Sequence, residues 1–360
     1  MMAERKIESV KVRAVNVPLA RPMRTASGNL PSAPLVLLDI RASDGATGCA
    51  YLFAYKLGMV KALAEIVRAV GEEVIGHPAN PHSVGQHIER SFRLLGRQGL
   101  VALAMSGIDM ALWDILARSQ DLPVARLLGG IERPIPAYDS FGIIDVIADR
   151  GELERSMQRG FRGIKIKIGG GTLEADVARV KAVRDVIGAE IALMVDYNQS
   201  LDPAEACRRI ARLQAFDLLW VEEPVLAEDL AGHCHVRAAT GVRIQTGENW
   251  TFPGEMEKAI RAGASDYAMP DLQKIGGITG WVKAAALAEA ANLPVSSHAF
   301  VEASAHVLAV TPTAHWLEFL DKAAPILQEP AVVAPDGTVI ARGPGLGLAW
   351  DEAAVARYAV

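Results

Sequence analysis

The alternation of isoleucine and lysine in Gly163-Ile-Lys-Ile-Lys-Ile168 predicts a short strand with Lys165 and Lys167 on one face and the isoleucines on the other. An apolar outer face packs on helices, so both amines point into whatever the sheet encloses, where charge is costly unless it is used. Taken alone, the run also reads as an edge strand with solvated lysines. Its surroundings favour the first reading. From Pro134 onward, short apolar runs alternate with amphipathic or alanine-rich stretches. The runs end near Asp139, Ile168, Asp196, Glu223, Gly247, Pro270, His298 and Phe319, and eight such parallel strands fit a closed α/β barrel.

The helices between them carry their own punctuation. Asp202-Pro203-Ala-Glu205 supplies an N-cap, a proline for the first turn and a capping-box glutamate, and Gly188 stops the preceding helix. Val177, Val180, Val183 and Val186 form an apolar stripe that covers the outside of the barrel. Before Pro134 the pattern differs, with strand-like runs at Val10 to Leu19 and Leu35 to Ile40. Helical stretches follow around Val60 to Val74, His82 to Leu95 and Val101 to Arg118. The division expected is an α+β domain over residues 1–133, a barrel over 134–331, and a segment, 332–360, that returns to the first domain after the Asp336-Gly337 turn.

Composition narrows the function. A formal net charge of -5 and the lack of a long basic run argue against nucleic acid as a partner. No apolar stretch is expected to span a membrane and the first residues lack an apolar leader, so a cytoplasmic protein is expected. Cys49, Cys207 and Cys234 have no metal-ligand spacing and read as reduced thiols. The glycine runs at 169–171 and 276–277 lack the spacing of a nucleotide fingerprint, and His306 and His315 read as structural.

The chemistry lies where the strands end, because barrel active sites occupy that rim. Asp196, Glu222 and Glu248 close three successive strands, and converging carboxylates repel unless a cation joins them. An all-oxygen set favours Mg²⁺ over zinc. Asn198 faces the same side, able to donate to a substrate hydroxyl or to support the metal. Asp271 precedes His298 by one strand and is placed to hold its imidazole in one tautomer and raise its basicity. Glu318 ends the last strand, near Ser140 and Lys165. Such a set suits removal of a proton α to a carboxylate. The dianion formed needs Mg²⁺, Lys165 and a protonated Glu318 around its oxygens. Lys167, kept partly neutral by Lys165 and the cation, then serves one face and His298 the other. Phe53, Tyr55, Met23, Leu30 and Phe300 read equally as core or as pocket lining.

Several stretches resemble the mandelate racemase group of the enolase superfamily. They include Arg13-Ala-Val-Asn-Val-Pro-Leu-Ala20, Tyr51-Leu-Phe-Ala-Tyr55, Gly107-Ile-Asp-Met and Ala137-Tyr-Asp-Ser140. Further along come the Lys165/Lys167 pair, Met194-Val-Asp-Tyr-Asn-Gln-Ser-Leu-Asp202, Gly247-Glu-Asn-Trp250, Ala268-Met-Pro-Asp with Lys274-Ile-Gly-Gly, and Thr311-Pro-Thr-Ala-His-Trp-Leu-Glu318. The resemblance implies a (β/α)7β TIM-like barrel with an α+β capping domain, one Mg²⁺ on Asp196, Glu222 and Glu248, and a homo-oligomer, octameric in the group's namesake. It implies Lys167 and His298 as the two bases, with Asp271 behind His298. Lys165, Glu318 and Ser140 would hold a substrate carboxylate and Asn198 its α-hydroxyl. A small-molecule carboxylate is thus the expected partner. The chain departs from the namesake at Phe141, where that has a histidine, and at Met23, Ser27 and Leu30, where it has valines, all expected on the substrate side. Ile166, replacing a threonine, faces outward.

Racemisation of mandelate or another aryl or bulky 2-hydroxy acid is the first expectation, resting on the two bases and an apolar wall of Phe53, Tyr55, Phe300 and Phe319. Dehydration of an acid sugar is the alternative, with Arg24 and Asn29 able to bind hydroxyls. A non-catalytic carboxylate-binding scaffold would have no use for bases on both faces.

Overall fold

The computed structural model describes residues 4–25 and 28–360; Ser27 lies outside the described residues. The chain opens with a three-stranded antiparallel sheet of β1 (Ile7–Thr25), β2 (Gly28–Ala42) and β3 (Thr47–Phe53). Helices Leu57–Glu72, Pro81–Ser91 and Leu100–Arg118 follow. The second is shorter than its sequence implies, because Gly96 turns at φ +88° and Leu94 stands fully exposed with nothing to pack on. Helix Leu100–Arg118 lies close on the sheet, where a Cβ at Gly48 would stand 2.3 Å from the Ala111 carbonyl oxygen. That helix also corrects an expectation. By length and hydropathy it is apolar enough to cross a membrane, yet 83% of its apolar window is buried inside the protein.

The barrel is built from parallel strands β4 (Ile135–Ser140), β5 (Gly163–Lys167), β6 (Ala192–Asp196), β7 (Leu218–Glu222), β8 (Ile244–Thr246), β9 (Tyr267–Ala268) and β10 (Leu317–Phe319). β10 pairs with β4, and parallel bridges Ala268 to Val295 and Val295 to Ala314 close the ring through the stave at 295–298. Helices cover the outside as the valine stripe predicts, with Val180 and Val183 fully buried. Asp202 caps its helix through the Glu205 N–H, while the Glu205 side chain turns to Arg208 and Arg209 instead of closing a capping box.

Inside, Tyr138, Met194, Trp220 and Tyr267 form an aromatic plug below the rim, with Trp316 packed against it. His315 packs on Trp220 and Tyr267, and His306 accepts a bond from the Ala125 N–H, so both are structural. After the barrel, β11 (Thr338–Val339) pairs with β4, and the last residues reach β1 through Asn16 N–H to the Tyr358 carbonyl and an Arg13–Glu352 ion pair. The β1–β2 hairpin is pinned to the barrel mouth. Arg21 bonds Asp139 at 2.6 Å, Arg24 bonds Asp149 at 2.8 Å, and Gly142 lets the Arg24 backbone approach closely.

Candidate active site

Parallel pairing puts the rim residues into one row. Lys167 is opposite Asp196, Asp196 opposite Glu222, and Glu222 opposite Gln245; Ser140 is opposite Lys165 one strand earlier. With isoleucines outward, both lysines enter the lumen, Lys165 resting 5.4 Å above the Tyr138 ring of the plug. Lys165 Nζ reaches Glu222 at 2.5 Å and Glu318 at 2.7 Å, and Lys167 Nζ reaches Asp196 at 2.5 Å. Glu222 is further held by the indole of Trp220 and the amide of Gln245, both at 3.1 Å.

On the stave at 295–298, His298 Nδ1 stands 2.5 Å from Asp271 Oδ2, while its Nε2 is 3.2 Å from Glu248 and 3.8 Å from Glu318. The other Asp271 oxygen accepts the Gln273 N–H at 2.7 Å. A carboxylate only accepts, so Nδ1 carries the proton and Nε2 faces the lumen. Burial lowers the affinity of this imidazole for a proton, but Glu248, Glu318 and the Asp271 bond overcome it and raise its pKa. Asp271 contributes to that rise after Glu248 and Glu318. His298, Lys274, Lys167 and Lys165 hold Glu248 ionised against its burial.

Two protonation states differ from expectation. Glu318 was expected to be protonated; burial does favour that form, but Lys165 and His298 outweigh it and hold the carboxyl ionised. Lys167 is expected to be partly neutral beside Lys165 and a bound cation; with Asp196 paired to it instead, its pKa is raised against burial and Lys165. Lys167 becomes a base only when the charge of Asp196 is engaged elsewhere.

The acids also differ from a finished cage. Among the described residues no trio of His, Cys, Asp or Glu side chains is gathered closely enough to form one; each carboxylate is instead paired with a base. The donor set still fits a hard dication. Burial and the fields of Asp196, Glu318 and Glu248 push Glu222 up to about 8 despite Lys165, an oxygen-only cluster carrying more negative charge than its amines relieve. The backbone and side-chain N–H groups of Asn198 donate to Asp196 at 2.7 and 2.9 Å.

Other expected residues divide. The Ser140 hydroxyl is buried on the strand beside Lys165 and has no hydrogen-bond partner among the described residues. Phe53 and Tyr55, rings 4.7 Å apart, lie at the end of β3 and are tied to the barrel by Gln273, which bonds the Phe53 N–H and the Tyr55 hydroxyl. Met23 and Leu30 face each other across the hairpin. Phe141 joins the outer cluster with Ile164 and Ile166, Arg21 lying 3.6 Å over its ring. Phe319 packs on Phe161 and Phe300 on Tyr51, so neither is a free wall. Sequence reasoning missed Gln245, Gln273, Glu223 and Lys322. Of these only Glu223, adjacent to Glu222 at a strand end, carried a signal.

Barrel, cap and rim together define a (β/α)-barrel enzyme with its charged residues gathered at one rim. The chain belongs to the mandelate racemase/muconate lactonizing enzyme group of the enolase superfamily. Residues 7–129 match the mandelate racemase/muconate lactonizing enzyme N-terminal domain and residues 148–354 the enolase C-terminal domain-like family. An enolase from Bradyrhizobium, crystallised with magnesium and mandelic acid, superposes with a TM-score of 0.97 at 53% identity over 100% of both chains. L-talarate/galactarate dehydratase of Salmonella typhimurium is 31% identical over 97% of this chain and 90% of its own. The 3,6-anhydro-alpha-L-galactonate cycloisomerase of Streptomyces coelicolor is 32% identical over 98% and 99% respectively.

Proposed function

We propose that this enzyme removes the proton α to the carboxylate of a 2-hydroxy acid and returns it from the opposite face, racemising or epimerising that carbon. The reading is supported by two candidate bases on different staves of the barrel, Lys167 on β5 beside Asp196 and His298 bonded to Asp271, with β10 and β4 between them around the ring. Asp196, Glu222 and Glu248 would hold Mg²⁺, the ion found in the Bradyrhizobium relative. When bound, it withdraws charge from a substrate oxygen and lowers the cost of the dianion.

In this reading Lys165 neutralises the substrate carboxylate, and the free Ser140 hydroxyl donates to it. Lys167 takes or returns the proton on one face. His298 does so on the other through Nε2, the nitrogen that Asp271 leaves unprotonated.

Dehydration of an acid sugar is the second reading, favoured by the near full-length likeness to a talarate/galactarate dehydratase. Each enantiomer of mandelate, and a set of aldaric acids, are to be incubated with enzyme and Mg²⁺ in D₂O and followed by NMR and polarimetry. Racemisation places deuterium at the α-carbon with decay of optical rotation; His298→Asn and Lys167→Met then each retain exchange of one enantiomer. A 2-keto-3-deoxy product supports the second reading, and no exchange with any acid removes both.

A further inference from the structure

Lys322 follows β10 in a loop fixed by Asp321, whose carboxylate accepts the Ala323 and Ala324 N–H groups. It is 94% buried in effect, with 6% of its surface exposed. Among the described residues no hydrogen bond or ion pair holds its amine, which lies 4.8 Å from the Phe53 ring. The Phe53 whose ring it meets is bonded through its N–H to Gln273, which in turn donates to the Asp271 that holds His298, so the amine lies on the His298 side of the rim, and Glu318, Asp271, Glu248 and Lys167 are the charged groups that act on it. Each of those acids is already engaged, Glu318 with Lys165, Asp271 and Glu248 with His298. A cation–π contact offsets only part of the desolvation of an ammonium. The steps assigned above give Lys322 no task.

We propose that Lys322 binds a second carboxylate, at the end of the substrate remote from the reacting carbon, and so selects 2-hydroxy diacids over acids with an apolar tail such as mandelate. This rests on the proposed reaction for the orientation of the substrate, whose first carboxylate lies at Lys165 and whose tail then extends toward the cap. Burial lowers the amine to about 8, against the pull of Glu318, Asp271 and Glu248, which leaves it mostly protonated at neutral pH. An unpaired buried cation of this kind is a pocket prepared for an anion.

The test uses acids that cannot react. Citramalate and 2-hydroxy-2-methylbutyrate share a fully substituted α-carbon and differ in the distal carboxylate; each is titrated calorimetrically into the Mg²⁺-loaded enzyme. The diacid is expected to bind on the order of 50-fold more tightly. Lys322→Met should bring that ratio near one, and Lys322→Arg should restore most of it. Lys322→Gln serves if the methionine variant does not fold. Equal binding of the two acids by the unaltered enzyme, or a variant that weakens both alike, overturns the proposal. Since no turnover is read, failure of α-proton exchange would defeat the reaction assigned above and leave this result standing or falling on its own.

Discussion

Replacing Asp271 by asparagine tests how one hydrogen-bond donor decides which face of the substrate is served. The carboxylate now satisfies two donors, the Gln273 backbone N–H at 2.7 Å and His298 Nδ1 at 2.5 Å. An amide has one oxygen for these two. Turned toward His298, it leaves its NH₂ against a backbone N–H that cannot rotate, a loss of about 1–3 kcal/mol. Turned toward Gln273, it keeps that bond and presents the NH₂ to Nδ1, and the proton moves to Nε2, where Glu248 at 3.2 Å can accept it. The second arrangement wins, so the nitrogen facing the substrate is no longer a base. The analogous amide substitution in the serine-protease triad costs about 10⁴-fold, and a loss of about 10³- to 10⁴-fold is expected here for the enantiomer served by His298. Exchange of the other enantiomer, through Lys167, should change by less than about 3-fold, since Lys167 contacts Asp196 at the end of β6. The assay is α-deuterium incorporation from D₂O, one enantiomer at a time, with near-ultraviolet circular dichroism to confirm the fold. Equal losses for both enantiomers, or no loss for either, would refute the tautomer argument.

Lys165→Met removes the ammonium from between Glu222 and Glu318, both fully buried, and should destabilise the metal-free protein by about 3–5 kcal/mol. Thermal melts with and without Mg²⁺ check this, and recovery of part of the loss by the ion is expected because it replaces the missing positive charge. Gly142→Ala would place a Cβ 2.4 Å from the Arg24 carbonyl oxygen and 2.6 Å from its nitrogen, which lifts the β1–β2 hairpin off the barrel mouth. The expected result is a cost of about 1–3 kcal/mol in stability and a rise in KM, with proteolysis appearing first in the hairpin; cleavage first within the barrel would contradict it.

How much was legible in the sequence follows from how local each determinant is. Alternation in Gly163–Lys167 is a property of a few adjacent residues, and it correctly sent both lysines inward, since a two-residue period is set by the strand backbone itself. Phe319 shows the limit: its neighbour Glu318 points into the lumen, so the same alternation turns the phenylalanine out onto Phe161, and its aromatic character had suggested a wall instead. The ionised state of Glu318 and the protonated state of Lys167 were beyond any local rule, because each depends on residues from other strands standing within 3 Å. Helix Leu100–Arg118 makes the same point, as its apolar surface is matched by a sheet that only folding brings to it.

Periodicity and strand-end chemistry sufficed for an α/β barrel beside a separate α+β region and for the acids, amines and imidazole at its rim; that the α+β region caps the barrel came from the family resemblance. Folding alone decided that Asn198 donates to Asp196, that Gln273 ties the cap to the rim, and that Lys322, in a loop with no pattern, is buried with its amine against the Phe53 ring. The reason is physical: backbone geometry dictates which way neighbouring side chains point. Charge state and partnership are set by distance in space, which a closed barrel fixes between residues far apart in the chain.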